Sequence, residues 1–235
     1  MVTTAANGEL TSCLLVAGVV YRQEGLSQDP PYGPEVSGVV GVGSHRLLSA
    51  VREHDEATYE HCLAVGRYAE RIAIAMGLSR ADAQRIGEVG RLHDVGKIAV
   101  PARLLHGREG LSGNDVTIMR DHAAVGARLV AEDERVCDLS CLVRAHHERL
   151  DGRGYPDGLS GTTIPLESRV VAVADTFDAL TAGRPYRKPL PVSGALTILT
   201  ATRGLQWDPE IVDVFVAMIE REGDIPRVEP TRAAV

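Results

Sequence analysis

Histidine and aspartate recur along this chain where packing alone would not call for them. His93 and Asp94 are adjacent, with Lys97 one turn later, and His61 sits within an earlier helical pattern. His122 lies in a further apolar-periodic segment, and His146-His147 close another. Asp175 stands among Val170, Val173, Ala174 and Ala179, where an unpaired carboxylate would be costly to bury. Histidine nitrogens combined with aspartate oxygens suit Mn, Fe, Zn, Co or Ni. On a helix the side chains of His93 and Asp94 diverge by about 100°. They can still straddle a pair of ions, the imidazole facing one and the carboxylate bridging both. Two cations about 3.5–4 Å apart suit hydrolysis of a phosphate ester.

The remaining histidines, His45, His54 and His106, read as surface or locally satisfied residues, His106 in a glycine-bearing loop. Cys13, Cys62, Cys137 and Cys141 show no paired spacing. Cys137 and Cys141, one helical turn apart, read as small hydrophobes rather than a metal clip. No stretch resembles a signal peptide, so a reducing, cytoplasmic setting is expected. The apolar run 13–20 is too short to span a bilayer.

Helices must position these residues. Leu47, Leu48 and Val51 make a short apolar face; Val65, Tyr68, Ala69, Ile72, Ala73 and Met76 make a longer one that Gly77 should stop. Ser79 with Asp82 predicts the start of the helix that runs into His93-Asp94. Ser112 predicts a helix containing Ile118, Met119 and His122, and Val136, Leu139, Leu142 and Val143 predict one ending at His146-His147. A loop from Asp151 to Pro165 precedes a helix over 166–181, and Asp208-Pro209-Glu210 marks the last helix start. No run alternates like a strand. The expected fold is all-α, a bundle of about seven to eight helices. Residues 1–42, rich in glycine and proline, read as a short irregular appendage or linker, 43–222 as the domain and 223–235 as a tail.

The chain has 235 residues and a formal net charge of −7. That charge argues against long nucleic acid, which needs a basic face, while leaving room for a small anion held by local cations. Aromatics make up 4% of residues, so the core must be aliphatic.

Three stretches in order resemble the HD-GYP branch of the HD phosphohydrolases. They are Leu92-His-Asp-Val-Gly-Lys-Ile98, His146-His-Glu-Arg-Leu-Asp-Gly-Arg-Gly-Tyr-Pro-Asp-Gly158 and Val173-Ala-Asp-Thr-Phe-Asp-Ala-Leu-Thr-Ala-Gly-Arg-Pro-Tyr-Arg-Lys188. The resemblance covers roughly 43–219 and implies an HD-type helical fold that hydrolyses cyclic di-GMP to pGpG, with further cleavage to GMP in many relatives. It implies the metal ligands His61, His93, Asp94, His122, His146, His147 and Asp175, with Asp94 bridging two divalent transition-metal ions, Fe or Mn expected. It implies Lys97 beside the scissile phosphate, and Tyr155, Arg184 and Arg187 as substrate contacts, the arginines on phosphate. Asp178, one turn after Asp175, is expected to orient a ligand histidine. Some relatives carry a glutamate for a third metal where this chain has Ala57, so a binuclear site is expected. Two rival readings stand beside this one. The first is a weak or inactive module that binds nucleotide, or a protein partner through Gly154-Tyr155-Pro156. The second is a phosphodiesterase for another cyclic dinucleotide. A homodimer is left open.

Overall fold

The structure is a computed structural model that describes residues 44–106, 112–182 and 188–222. The described residues contain ten α-helices. They are α1 Ser44–His54, α2 Glu56–Ala75, α3 Arg80–Leu92, α4 Ala102–His106, α5 Gly113–Arg120, α6 His122–Ala131, α7 Ser140–Arg144, α8 Leu166–Thr181, α9 Val192–Thr202 and α10 Pro209–Glu222. Three short 3-10 turns interrupt them, at Val95–Ala99, Cys137–Leu139 and Gly161–Thr163. No strand is present among the described residues beyond an isolated bridge between Arg203 and Trp207. The all-α class is therefore what the molecule has. The appendage and tail boundaries, like Arg184 and Arg187, lie outside the described residues.

The helix ends follow from local chemistry. Asp55 caps α2 by accepting from Thr58 N at 2.8 Å, and Ser79 caps α3 by accepting from Asp82 N at 3.1 Å. Ser112 and Asp115 form a reciprocal capping box at the start of α5. Pro209 opens α10, with Asp208 Oδ1 accepting from Glu210 N at 3.0 Å.

The long helices α2, α3, α8 and α10 pack around Val65, Ile72, Ile86, Leu92, Val170, Val173 and Ile211. Three of the scarce aromatics meet at one point, where Tyr68, Phe177 and Phe215 stack edge to face, Phe177 and Phe215 with ring centres 4.9 Å apart. Helices α2 and α3 cross almost backbone to backbone. A Cβ on Gly90 would fall 2.9 Å from Gly66 Cα, so only glycines permit the approach. That crossing brings the His61 end of α2 against the His93 end of α3.

Around the site the helices are shorter than the periodicity predicts, which is why there are ten among the described residues rather than seven or eight. The helix expected to run from Ser112 through His122 stops at Arg120, and His122 begins α6 after Asp121. The segment expected as one helix from Val136 to His147 is a 3-10 turn followed by the five-residue α7, with His146-His147 in the turn beyond. Asp94 is not on a helix face either. Helix α3 ends at Leu92, His93 is its cap, and Asp94 has φ −103° and ψ 8°. The physical reason is common to all of them: an uninterrupted helix would carry each ligand past the centre, whereas a broken one turns it inward.

Candidate metal centre

Five elements deliver one cluster. Helix α2 supplies His61, the end of α3 supplies His93 and Asp94, and the start of α6 supplies His122. The turn after α7 supplies His146 and His147, and α8 supplies Asp175 and Asp178. Two overlapping groups have ligand atoms within 4.8 Å of one another: His61, His93 and Asp94, and Asp94, His122, His146 and His147. Asp94 belongs to both. Its Oδ2 lies 3.6 Å from His61 Nε2 and 3.3 Å from His93 Nε2, while its Oδ1 lies 3.2 Å from His122 Nε2. Asp175 Oδ1 joins the first group at 3.0 Å from His61 Nε2 and 3.8 Å from His93 Nε2.

The far side of four of the five imidazoles is already committed. His93 Nδ1 donates to Gly90 O at 2.7 Å, His122 Nδ1 to Met119 O at 2.5 Å, and His146 Nδ1 to Val143 O at 2.6 Å. His61 Nδ1 donates to Asp178 Oδ2 at 2.7 Å. With the proton held on Nδ1, the Nε2 of His93, His122 and His146 presents a lone pair to the centre, and that of His61 does so once the proton it carries below about pH 9 is displaced. Lone pair then faces lone pair: His122 Nε2 stands 3.3 Å from His146 Nε2, and Asp94 Oδ1 faces His122 Nε2. His61 Nε2, His93 Nε2 and Asp94 Oδ1 are buried with no hydrogen bond of acceptable geometry. Buried polar atoms are nearly always satisfied, and a converging set of nitrogen and carboxylate donors left without partners is what a bound cation would satisfy. The donor set therefore fits a metal centre.

Electrostatics agree. His93 is 0% exposed, Asp94 1%, His122 2% and His146 1%, so none can rely on water for compensation. Burial opposes charge on Asp94, but His93 and Lys97 outweigh it and hold the carboxyl well below its usual range. Asp175 is likewise held down, against its burial, by His61, then His93 and His147. Burial, then the neighbouring His147, His93 and His122, push His146 well below the usual histidine value. Burial and then His122 take His147 down to about 3. His61 goes the other way: burial opposes its charge, yet Asp175 and Asp178 raise it to about 9. At neutral pH His146 and His147 are neutral, His61 carries a proton until a metal displaces it, and both carboxylates are charged.

Lys97, on the 3-10 turn after Asp94, places Nζ 2.5 Å from Asp94 Oδ2. Tyr155 lies over His147, ring centres 4.7 Å apart at 32°. The loop carrying it is tightly built. A Cβ on Gly154 would fall 2.5 Å from Glu148 Cα, and the Tyr155–Pro156 peptide is cis.

Two residues escaped the sequence reading. Glu148, 3% exposed, turns its Oε1 to the amides of Asp157 (2.7 Å) and Gly158 (3.1 Å), and so ties the loop to the residue beside His147. Its only signal was a glutamate directly after two candidate ligands. Arg120 places Cζ 5.1 Å from the Tyr155 ring centre, a contact that no local pattern encodes. Among the residues set aside as ordinary, His54 bonds to Val100 O at 3.0 Å, His106 lies 3.3 Å from Asp55 Oδ1, Cys62 is a buried thiol, and Cys137 is exposed rather than packed as a small hydrophobe.

Comparison with known proteins places these features in context. A model of the HD domain family matches residues 46–211. The cyclic di-GMP phosphodiesterase response regulator RpfG of Xanthomonas campestris is 39% identical over 73% of this chain and 46% of its own length. A cyclic di-GMP phosphodiesterase of Thermotoga maritima is 35% identical over 78% of this chain and 50% of its own length. A 3'3'-cGAMP-specific phosphodiesterase of Vibrio cholerae is 34% identical over 73% of this chain and 33% of its own length. The chain thus spans about half or less of these curated relatives. Among solved structures, a cyclic GMP-AMP phosphodiesterase of V. cholerae superposes with a TM-score of 0.57 at 20% identity, covering 80% of this chain and 49% of the other. The PgpH HD domain of Listeria monocytogenes, solved with cyclic-di-AMP, gives 0.54 at 15% identity, covering 78% of this chain and all of its own. Both support the fold. No helix among the described residues is long and apolar enough to cross a membrane.

Proposed function

Because the chain belongs to the HD domain family, in the HD-GYP branch that its motifs mark, we propose that it hydrolyses a cyclic dinucleotide, with cyclic di-GMP the first candidate. The observation that carries this reading is the position of Asp94, common to both ligand groups. One divalent ion would be held by His61, His93, Asp94 and Asp175, and a second by Asp94, His122, His146 and His147. Ala57 offers no oxygen for a third, and its neighbour Glu56 is engaged with Arg52 at 3.1 Å. Mixed nitrogen and oxygen donors suit Fe or Mn.

When bound, such a pair supplies charge neutralisation at the phosphate and a water activated near neutral pH. The chain's own residues do the rest. Asp94 fixes the spacing of the two half-sites, and the Nδ1 bonds to Gly90, Met119, Val143 and Asp178 hold the imidazoles in one tautomer. Lys97, held beside Asp94, offers a proton donor to a phosphate oxygen. The overall change adds one water and breaks one P–O3′ bond. The ribose 3′ oxygen departs with a proton, and the ring opens to pGpG. Tyr155 walls the centre on the His147 side. Arg184 and Arg187 follow α8 and are assigned to the phosphate that is not cleaved. Residues 43–222 are taken as the catalytic unit.

Anaerobic purification, elemental analysis and chromatography of products from cyclic di-GMP test this reading. Two metals per chain and linear pGpG are expected. A two-metal protein that leaves both cyclic di-GMP and cyclic GMP-AMP intact sinks it.

A further inference from the structure

We infer that Arg120 is a specificity-determining residue that binds a phosphate of the cyclic dinucleotide remote from the metal centre; the inference rests on the function proposed above. Arg120 is the last residue of α5 and is exposed. Its guanidinium carbon lies over the Tyr155 ring, 5.1 Å from the ring centre, and Tyr155 in turn packs on His147 with ring centres 4.7 Å apart, tilted by 32°. The cation therefore stands two ring contacts from a candidate ligand, on an exposed side chain.

Its partners explain why it is available. The acidic residues of the adjacent loop are taken: Asp157 is held by Arg144 at 2.7 Å and Asp151 by Arg149 at 2.7 Å. Arg120 makes no ion pair among the described residues, in a chain whose formal net charge is −7. A cation–π contact draws on the charge of a guanidinium without placing an acceptor on its N–H groups, which remain for an anion. Tyr155 holds the group in place, so less side-chain entropy is lost when the anion arrives. A lone metal-bound phosphodiester would not reach such a group; a dinucleotide carrying a second phosphate can.

The bland role for Arg120 is to pack on Tyr155 and steady His147. Steady-state kinetics on the metal-loaded full chain separate the two, with cyclic di-GMP and bis(p-nitrophenyl) phosphate as substrates. Arg120→Met keeps an apolar stem on Tyr155 and removes the charge; Arg120→Lys keeps a point charge without the fork. The expected result for Arg120→Met is a KM for cyclic di-GMP raised about ten- to a hundredfold, the loss of one charged hydrogen bond. Metal content, kcat and turnover of the small ester should be unchanged, and Arg120→Lys should fall between. An unchanged KM for cyclic di-GMP overturns the inference, as does an equal loss on both substrates, which would mark Arg120 as a support for Tyr155. If wild type cleaves the small ester but no cyclic dinucleotide, the proposed function itself fails and the inference falls with it.

Discussion

Replacing Gly96 with alanine should dismantle the metal centre without touching a ligand. Gly96 follows Asp94 by two residues and faces the first turn of α6. A Cβ built there falls 2.0 Å from His122 O, 2.5 Å from Gly126 N and 2.9 Å from His122 C. All three are backbone atoms, so no side chain can swing away. Ordinary contact begins near 3.4 Å, and the turn and the helix must therefore part by roughly 1.4 Å. Ligand distances at a metal site tolerate about 0.2 Å. The forced opening is several times that, and it acts directly between Asp94 and His122, now 3.2 Å apart. Overpacking of this kind costs about 1–3 kcal/mol in stability. The melting temperature of metal-free Gly96→Ala should fall by several degrees, and its metal content should drop by at least one equivalent by elemental analysis. Gly113→Ala is the control, since a Cβ there meets nothing within 4 Å. It should leave melting, metal content and turnover as in wild type. Full metal loading with a wild-type rate in Gly96→Ala would refute the reasoning.

Asp94→Ala should lose both metals and turnover together, because one carboxylate serves both groups; two retained metals by elemental analysis would contradict the bridge. Lys97→Ala should keep its metals and lose turnover of cyclic di-GMP, since a protonated amine can act on phosphate charge but cannot ligate; equal loss of both would make Lys97 structural. Asp178→Ala removes the acceptor that orients His61 and should weaken metal affinity by about ten- to a hundredfold, read by chelator competition. Metal uptake should also depend on pH. His61, raised to about 9, holds a proton in the metal-free centre that a metal must displace. Affinity should therefore rise as pH increases from 7 towards 9 and level off above it, and a flat profile by calorimetry would count against His61 as a ligand.

Much of the fold was legible because caps and periodicity are local. Ser79, Ser112 and Asp208 each act within three residues of themselves, and the helix over 166–181 is bounded as its pattern predicts. The breaks at Asp94, Asp121 and Ala145 were not legible. Nothing in the neighbouring residues forbids a longer helix there; the interruption is set by what lies across the site. Gly96 shows the same limit. The sequence presents it as one glycine in a motif, and only the path of α6 reveals that its missing Cβ is the space His122 O occupies. Glu148 and Arg120 work through partners nine or more residues away, Asp157 and Tyr155 among them, so composition and spacing could not expose their contacts.

The breaks also answer why the centre forms where it does. His93 caps α3, His122 follows the end of α5, and His146 follows the end of α7. In each case the Nδ1–H reaches the carbonyl three residues back, Gly90, Met119 or Val143, within the last turn of the helix just ended. Carbonyls of that turn lack the amides a longer helix would give them. A histidine just past the end thus does two things at once: it satisfies one such carbonyl, and that same bond fixes the tautomer that turns Nε2 inward. Helix ends of this sense also carry partial negative charge, which favours cations nearby. The α5 and α7 ends contribute little of that field, being short, and the N-terminus of α6 at His122 opposes it, so α3 supplies most of what is favourable. Stopping the helices early is therefore part of how the fold would build the proposed cation site, and lengthening α3 by a turn would remove a proposed ligand, its orienting bond and part of the favourable field together.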